Sequence, residues 1–293
     1  MNTIYEVSDP INPIIYEGIQ IASNKSAFQE WCILDTEGCE HLFINNTLQS
    51  SKADEHIYHE TFVHSLMSGC RKKDNILILG GSEGCMAREV LKWPVNSITQ
   101  IDWDSSLVSY FKGPGASWNS NSYNDKRVNV IVSDALLWLK SCQKTFDCIF
   151  IDLFDPNMDN YQDFYNIVKE CGRCLSPGGG LSLNVGSVNY MASKYISLLI
   201  KNLFNNKDLA AVRCSVPSFK EDWVFLMVLP NLWSIIVNES KLPPTLYYNK
   251  DILIRSCKWD KTLYPEFYQF WIPKKLTAAA PKLTVEFGEH YGC

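Results

Sequence analysis

The sequence has none of the marks of export or membrane insertion. MNTIYEVSDPINPIIYEG at the start carries no basic segment followed by an apolar run, so no secretory leader is expected and a cytoplasmic location is. The longest apolar stretch, WVFLMVLP ending at Pro230, is about a third of the ~20 residues that a membrane span needs, so no membrane partner is expected. Positive charge is not in excess: 27 Lys and Arg face 32 Asp and Glu, for a net charge of −5. A phosphate backbone recruits a basic face, which excludes nucleic acid as the main ligand. Cys171 and Cys174 form a lone CxxC with no second pair to close a zinc site. They fall at helical spacing before Leu-Ser-Pro-Gly, which favours a buried helix end over a metal or redox site. The eleven cysteines are odd in number and irregularly spaced, unlike a small disulfide scaffold, and read as free thiols. Internal repeats and long linkers are missing too. What is present is 46% hydrophobic residues and 13% aromatics over 293 positions, enough for one large domain or a main domain with a small one.

Residues from about 14 to 60 read as short strands. IIYEGIQIA, FQEWCIL and HLFINN are separated by the turn-like SNKS and DTEGCE. From Lys73 the texture becomes an alternation of buried strands and amphipathic helices. ILILGG, SITQID, VNVIVSD, FDCIFID and GLSLNVG predict five parallel strands, with helices between them. VRCSVPS and WVFLMVLP predict a terminal antiparallel hairpin. Such an order gives right-handed crossovers and a doubly wound sheet.

In open α/β sheets ligands bind beyond the carboxyl ends of the strands, and a distinctive residue stands at each end here. Gly80-Gly81-Ser82-Glu83-Gly84 follows the first strand, where small residues let a ligand approach the backbone. Ser82 breaks the GxGxxG form, so a dinucleotide is not favoured. Asp102 ends the second strand, where an acidic side chain takes the paired hydroxyls of a ribose. Asp134 ends the third, placed to accept from an adenine amino group. Each Asp alone is equally explained as a helix cap; the ordered set points to a nucleoside site. Asp152 and Asp155 after the fourth strand can hold an ammonium, accept a proton or bind a metal, but no His lies near them in sequence to complete a metal set.

These segments resemble the spermidine synthase family, the polyamine aminopropyltransferases, over nearly the whole chain. LFINNTLQSSKADEHIYHE resembles the family's entry segment, with Gln49, Asp54, Glu55, Tyr58, His59 and Glu60 at its spacing. GGSEGCMAREVLKWP is similar to its motif GGGxGxxxREVxKHP, with Glu83 at the acidic position, and IDLFDP to its D-x-x-D-P signature. VPSFKEDWVFLM resembles its late segment, with a W-x-x-M ending like that of thermospermine synthase-like members, and YYNKDIL its Y-Y-N-x-x-I.

The resemblance implies an α/β fold: a Rossmann-like, methyltransferase-type doubly wound sheet over 66–293 with a small N-terminal β domain over 1–65. It implies transfer of an aminopropyl group from decarboxylated S-adenosylmethionine, as co-substrate, to a diamine or polyamine, with no metal and with a homodimer as the assembly. Asp152 is then the candidate proton acceptor, with Tyr58 as its partner. Gln49, His59, Gly80, Gly81, Glu83, Asp102, Asp134 and Ala135 would bind the donor. Glu83 would pair with the donor's ammonium, and Gln49 and His59 would fix the donor from the N-terminal strands. Asp155, Tyr58, Phe219 and Trp223 would bind the amine, with Trp223 leaning toward a longer amine.

Two departures bear on activity. The loop after Asp155-Pro156 is short and has no Gly-Pro, which makes a poorer lid. The family's late Tyr is Phe219 here, and losing one positioning hydrogen bond costs about 0.5–1.5 kcal/mol. Two other readings share the fold: an S-adenosylmethionine-dependent N-methyltransferase, and a catalytically weak regulatory paralogue. Glu83 and the Asp152/Asp155 pair speak against the first, and the retained Asp152, Tyr58 and Asp102 against the second.

Overall fold

Two glycine- and asparagine-dependent turns fold the first sheet. A computed structural model describes residues 2–6, 14–157, 159–205, 207–229 and 242–270. Strands β1 (Asn2–Glu6), β2 (Ile14–Lys25), β3 (Glu30–Thr36), β4 (Cys39–Ile44) and β5 (Thr47–Ser51) pair antiparallel in chain order. Glu37-Gly38 and Asn45-Asn46 join β3 to β4 and β4 to β5, each with both residues at positive φ. That is the type I′ geometry whose twist matches a tight hairpin.

Helix α1 (Glu55–Gly69) departs from the expectation of strands up to residue 60. Nearly every side chain on it is buried, polar ones included, so no amphipathic stripe marks it in the sequence. Tyr58, Phe62, Val63 and Leu66 pack in one core with Ile76, Ile78 and Phe150 of the second sheet. The division expected at 65/66 therefore falls inside a helix whose packing belongs to the second sheet.

That sheet follows from continuous apolar runs. β6 (Asn75–Gly80), β7 (Ser97–Asp102), β8 (Val128–Val132), β9 (Phe146–Asp152) and β10 (Leu175–Ser187) run parallel, and β11 (Asp208–Val216) and β12 (Glu221–Leu229) form the antiparallel hairpin. The spatial order is β11-β12-β10-β9-β6-β7-β8. Pro230, the expected end of the hairpin, and residues 271–293 of the expected second domain lie outside the described residues. Helices α2 (Cys85–Leu91), α3 (Ser105–Lys112), α4 (Ala135–Ser141), α5 (Tyr161–Cys174) and α6 (Met191–Leu203) connect the strands, with α7 (Lys250–Ser256) and the short α8 (Pro265–Tyr268) after them.

One apolar core lies under α1, α2 and α7, and a second under α4, α5 and α8, so the sheet is covered on both faces. A third cluster of Trp31, Ile33, Leu42, Leu107, Phe111 and Trp118 joins the N-terminal sheet to α3. Trp31 donates its indole N–H to Ser106 Oγ at 2.8 Å across that joint. Cys171 and Cys174 are buried at the end of α5, and every cysteine among the described residues is a free thiol. No helix among those residues is long and apolar enough to cross a membrane.

The chain reverses sheet direction between β6 and β9, and the strand ends there open toward the first sheet. Gly80 must be glycine for packing: its φ is +83°, and a Cβ would lie 1.9 Å from the Asp152 carbonyl oxygen. Gly81 is also at positive φ, and a Cβ there would meet only ordinary contacts, with Gln100 Nε2 3.8 Å away.

Candidate active site

A cavity of about 600 Å³ fills the crevice beyond the strand ends, between the two sheets. Its walls include Gln49, Tyr58, His59, Gly80, Gly81, Glu83, Asp102, Asp134, Ala135, Asp152, Asp155, Phe219 and Trp223. Every residue given a catalytic, donor-binding or amine-binding role from the sequence thus reaches one cavity, although they come from β5, α1, the ends of four parallel strands and the β11–β12 hairpin.

On one side, the turn after β6 holds Ser82 and Glu83, both buried, and Asp102 stands at the end of β7. Asp102 accepts the backbone N–H of Asp104 at 2.9 Å. Burial drives its carboxyl up to about 6, against the Asp104 and Ser82 hydrogen bonds that favour ionisation. The third strand stops at Val132, two residues short of the expected end at Asp134. Asp134 is the N-cap of α4, accepting from the Leu137 N–H at 2.8 Å, while also lining the cavity. The cap and the cavity position coexist in one side chain.

On the other side, the Tyr58 hydroxyl donates to Asp152 Oδ1 at 2.7 Å. Asn184, near the end of β10, donates to Asp155 Oδ1 at 3.1 Å and lies 3.5 Å from Asp152 Oδ1. Burial, then the negative charge of Glu83, pushes Asp152 up to about 7; the Tyr58 bond and His59 pull the other way. Burial also raises Asp155. Phe219, in a one-turn helix at Pro217–Phe219, stands edge-on to Tyr58 with ring centres 6.0 Å apart and touches Trp223 at 4.9 Å. Tyr190 meets Trp223 at 6.2 Å and completes an aromatic wall.

His59 corrects the sequence expectation. It sits on α1 rather than on an N-terminal strand, and both ring nitrogens are engaged by this chain. Nδ1 lies 2.8 Å from Glu55 Oε2 and 2.8 Å from the Glu55 carbonyl, and Nε2 lies 2.7 Å from Glu83 Oε1. Burial alone would lower its pKa, but the two carboxylates overcome this and raise it to about 10, so the ring is an imidazolium. Neither nitrogen is left to fix a donor, and the ring instead holds Glu83.

Sequence reasoning gave no cavity role to Asn184, Tyr190 or Glu55. Asn184 stands three residues before the end of a buried strand and was open to the same argument as the Asp residues. Glu55 stands in the entry segment, and only the three-dimensional pairing reveals its work. Tyr190 carries no sequence signal.

The short loop after Asp155 is tied to itself. Asn157 accepts from the N–H groups of Asp159 and Asn160, and the Asn160 side chain both caps the Asn157 N–H and reaches the Asp155 carbonyl. At the cavity mouth the half-exposed rings of Phe28 and Trp103 stack at 5.0 Å and 12°.

Among the described residues, Glu55, His59 and Cys85 bring donor atoms within 4.8 Å of one another, a metal-like spacing. The donors are otherwise committed. Arg88 bonds both Glu55 oxygens at 2.9 Å, His59 faces two carboxylates, and burial keeps the Cys85 thiol protonated. The set fits an internal charge network rather than an ion.

A family model described as the spermine/spermidine synthase domain matches residues 55–238. A polyamine aminopropyltransferase of Sulfolobus acidocaldarius is 33% identical over 194 residues, 63% of this chain and 63% of that protein. One from Saccharolobus solfataricus is 32% identical over 235 residues, 76% of each chain. Among solved structures, spermidine synthase from Thermotoga maritima superposes with a TM-score of 0.81 at 19% identity, covering 91% of this chain and 94% of that one. A spermidine synthase in complex with the transition-state analogue AdoDATO gives 0.82 at 18% identity with the same coverage. At those identities the two structures speak for the fold alone.

Proposed function

The chain belongs to the spermine/spermidine synthase family, and from that membership we propose that it is a polyamine aminopropyltransferase. It moves an aminopropyl group from decarboxylated S-adenosylmethionine to a diamine or polyamine and releases methylthioadenosine. The observation that carries the reading is the convergence of Glu83, Asp102, Asp152 and Asp155 on one cavity, with Tyr58 bonded to Asp152.

The chemistry divides among these residues. A neutral amine nitrogen gives its lone pair to the methylene carbon beside the sulfonium. The carbon–sulfur bond breaks, its electrons return to sulfur, and a neutral thioether leaves. The leaving group needs no acid, and the step balances without a metal. The acceptor nitrogen, with an amine pKa near ~10, arrives protonated and must lose a proton. Asp152 accepts it or orients the amine toward water, with the Tyr58 hydroxyl fixing the carboxylate. Asp155, steadied by Asn184, holds a charged nitrogen of the amine, and Phe219, Tyr190 and Trp223 pack its methylenes. Asp102 takes the ribose hydroxyls, Asp134 and Ala135 meet the adenine, and Gly81 lets the donor lie close to the backbone. Gln49 closes the donor side from β5, and Glu83 binds the donor's ammonium. The enzyme acts in the cytoplasm as a homodimer.

Product analysis tests the reading. The full chain incubated with decarboxylated S-adenosylmethionine and a panel of amines should yield methylthioadenosine and an amine heavier by one aminopropyl group. S-adenosylhomocysteine formed from intact S-adenosylmethionine, or no product from either donor, would overturn it.

A further inference from the structure

From the cavity wall a file of four alternating charges runs into the protein. Glu83 Oε1 faces His59 Nε2 at 2.7 Å, and His59 Nδ1 faces Glu55 Oε2 at 2.8 Å. Arg88 closes the file with a two-pronged grip on Glu55, Nη1 to Oε1 and Nη2 to Oε2, both at 2.9 Å. Glu55, His59 and Glu83 are each less than one-tenth exposed. The far end is anchored in turn, since Arg88 Nε donates to Glu89 Oε1 at 2.8 Å and Arg88 Nη1 to the Trp118 carbonyl at 3.1 Å.

We propose that Glu55, gripped by Arg88, is a positioning residue for the donor: it holds His59 so that Glu83 presents one fixed oxygen, Oε2, to the donor's ammonium. The proposal rests on the reading of Glu83 as the ammonium's partner and adds what makes that partner selective. A carboxylate alone in the turn after β6 would be free to rotate and would carry its full charge into the cavity. With Oε1 bonded to the imidazolium, its orientation is set before the donor arrives, and one of its two oxygens is already engaged. The file contains two carboxylates and two cations, so its own net charge is zero.

Glu55 is the member that no neutral analogue replaces. Its two oxygens accept three side-chain hydrogen bonds, two from Arg88 and one from His59. A Gln offers one acceptor oxygen and turns an NH₂ group toward a guanidinium or an imidazolium that has only protons to offer. His59 then loses its inner partner and Glu83 its fixed orientation. On the acceptor side, Asp155 is held by Asn184 and makes no bond to the file.

The test compares two ligands that share the methylthioadenosine frame and differ in the aminopropyl chain, with its ammonium, and in the charge on sulfur. Decarboxylated S-adenosylmethionine carries the aminopropyl ammonium; methylthioadenosine keeps the nucleoside and lacks it. Binding of each to the wild type, Glu55→Gln, Glu83→Gln and the double variant is measured by calorimetry, with steady-state kinetics alongside. Glu55→Gln should weaken decarboxylated S-adenosylmethionine about tenfold, the size expected for a charged hydrogen bond. Methylthioadenosine binding and the acceptor KM should stay within about threefold. The double variant should be no worse than Glu83→Gln alone, since both changes remove one interaction. In the wild type the His59 ring nitrogens should give the ¹⁵N signature of an imidazolium, and Glu55→Gln should shift it.

Equal weakening of both ligands by Glu55→Gln, or donor binding unchanged while Glu83→Gln weakens it, overturns the proposal and leaves the reading of Glu83 standing. An unchanged donor affinity in Glu83→Gln overturns that reading itself. Should Glu55→Gln fail to fold, Arg88→Lys, which keeps the charge and loses the fork, carries the same comparison.

Discussion

In the role proposed for it, Asp152 meets two demands on a single carboxyl group: to be buried beside the reacting atoms and to take a proton from an amine. Burial and the neighbouring Glu83 raise it to about 7, while Tyr58 holds one of its oxygens at 2.7 Å. A carboxyl raised in this way is protonated below its pKa and able to accept only above it. The activity is therefore expected to climb with pH through about 7, where an unperturbed Asp would have its limb near ~3.9. Asp152→Asn keeps the shape and still accepts from Tyr58, but it cannot take the proton. It should lower kcat by about a hundredfold and remove the acid limb, and weaken donor binding only by the charge it takes away. A pH profile of kcat/KM for both forms checks this. A limb near 4 in the wild type, or full turnover in the variant, would refute the role given to Asp152.

At the scale of elements, the start of α1 ties down the aromatic wall proposed to receive the amine. Asp54, the residue before this helix, accepts the Ser218 backbone N–H at 2.7 Å and its hydroxyl at 2.8 Å. That clasp holds the Pro217–Phe219 turn and sets the Phe219 ring against Tyr58. Asp54→Ala leaves the Ser218 N–H without its partner, at a cost of about 1–3 kcal/mol of stability. It should raise the KM for the amine several-fold and spare the KM for the donor; a rise in both alike would mean that the clasp supports the whole fold rather than the amine wall. The same helix shows where reading the sequence succeeds and where it stops. Strands β6 and β9 announce themselves, because a parallel strand buried on both faces is an unbroken apolar run, and the residues at their ends, Gly80 and Asp152, draw attention by the fold rule. EHIYHETFVHSLMSG gives no such sign. Glu55, His59, Glu60 and His64 sit in the interior only because each has a partner: Glu60 accepts three backbone N–H bonds from Leu246, Tyr247 and Tyr248, and His64 faces Glu89. Burial bought by pairing leaves no periodic pattern, so His59 could be placed near the donor by resemblance but not seen as the support of Glu83. Asp134 shows the opposite case, in which one side chain both caps a helix and lines the cavity.

Over the whole molecule the buried titratable groups pull stability in opposing directions, and their signs decide how it responds to pH. Burial raises Glu55 and Glu89, but the hydrogen bonds from His59 and His64, with Arg88 and Lys92 beside them, outweigh it and hold each at about 2. Their contribution is complete above 4.5 and is lost as pH falls through about 2. His59, raised to about 10, contributes fully below 6.5 and loses that contribution as pH rises through about 10. Asp102 and Asp152 are raised acids, so ionising them inside the fold costs stability as pH climbs from 3.8 toward about 6 and about 7. The ligand-free protein should thus be most stable in mildly acidic solution, near about pH 5, with its melting temperature declining toward pH 9. The donor reverses part of that decline. Its permanent sulfonium and its ammonium favour the ionised form of Asp152, so binding at pH 6 must first release a proton and binding at pH 8 need not. At one fixed concentration, decarboxylated S-adenosylmethionine should raise the melting temperature more at pH 8 than at pH 6. Methylthioadenosine, whose sulfur is neutral, should show much less of that difference. Equal increments for the donor at the two pH values, or the same trend for both ligands, would mean that the ring of carboxylates does not recognise the donor by its charge.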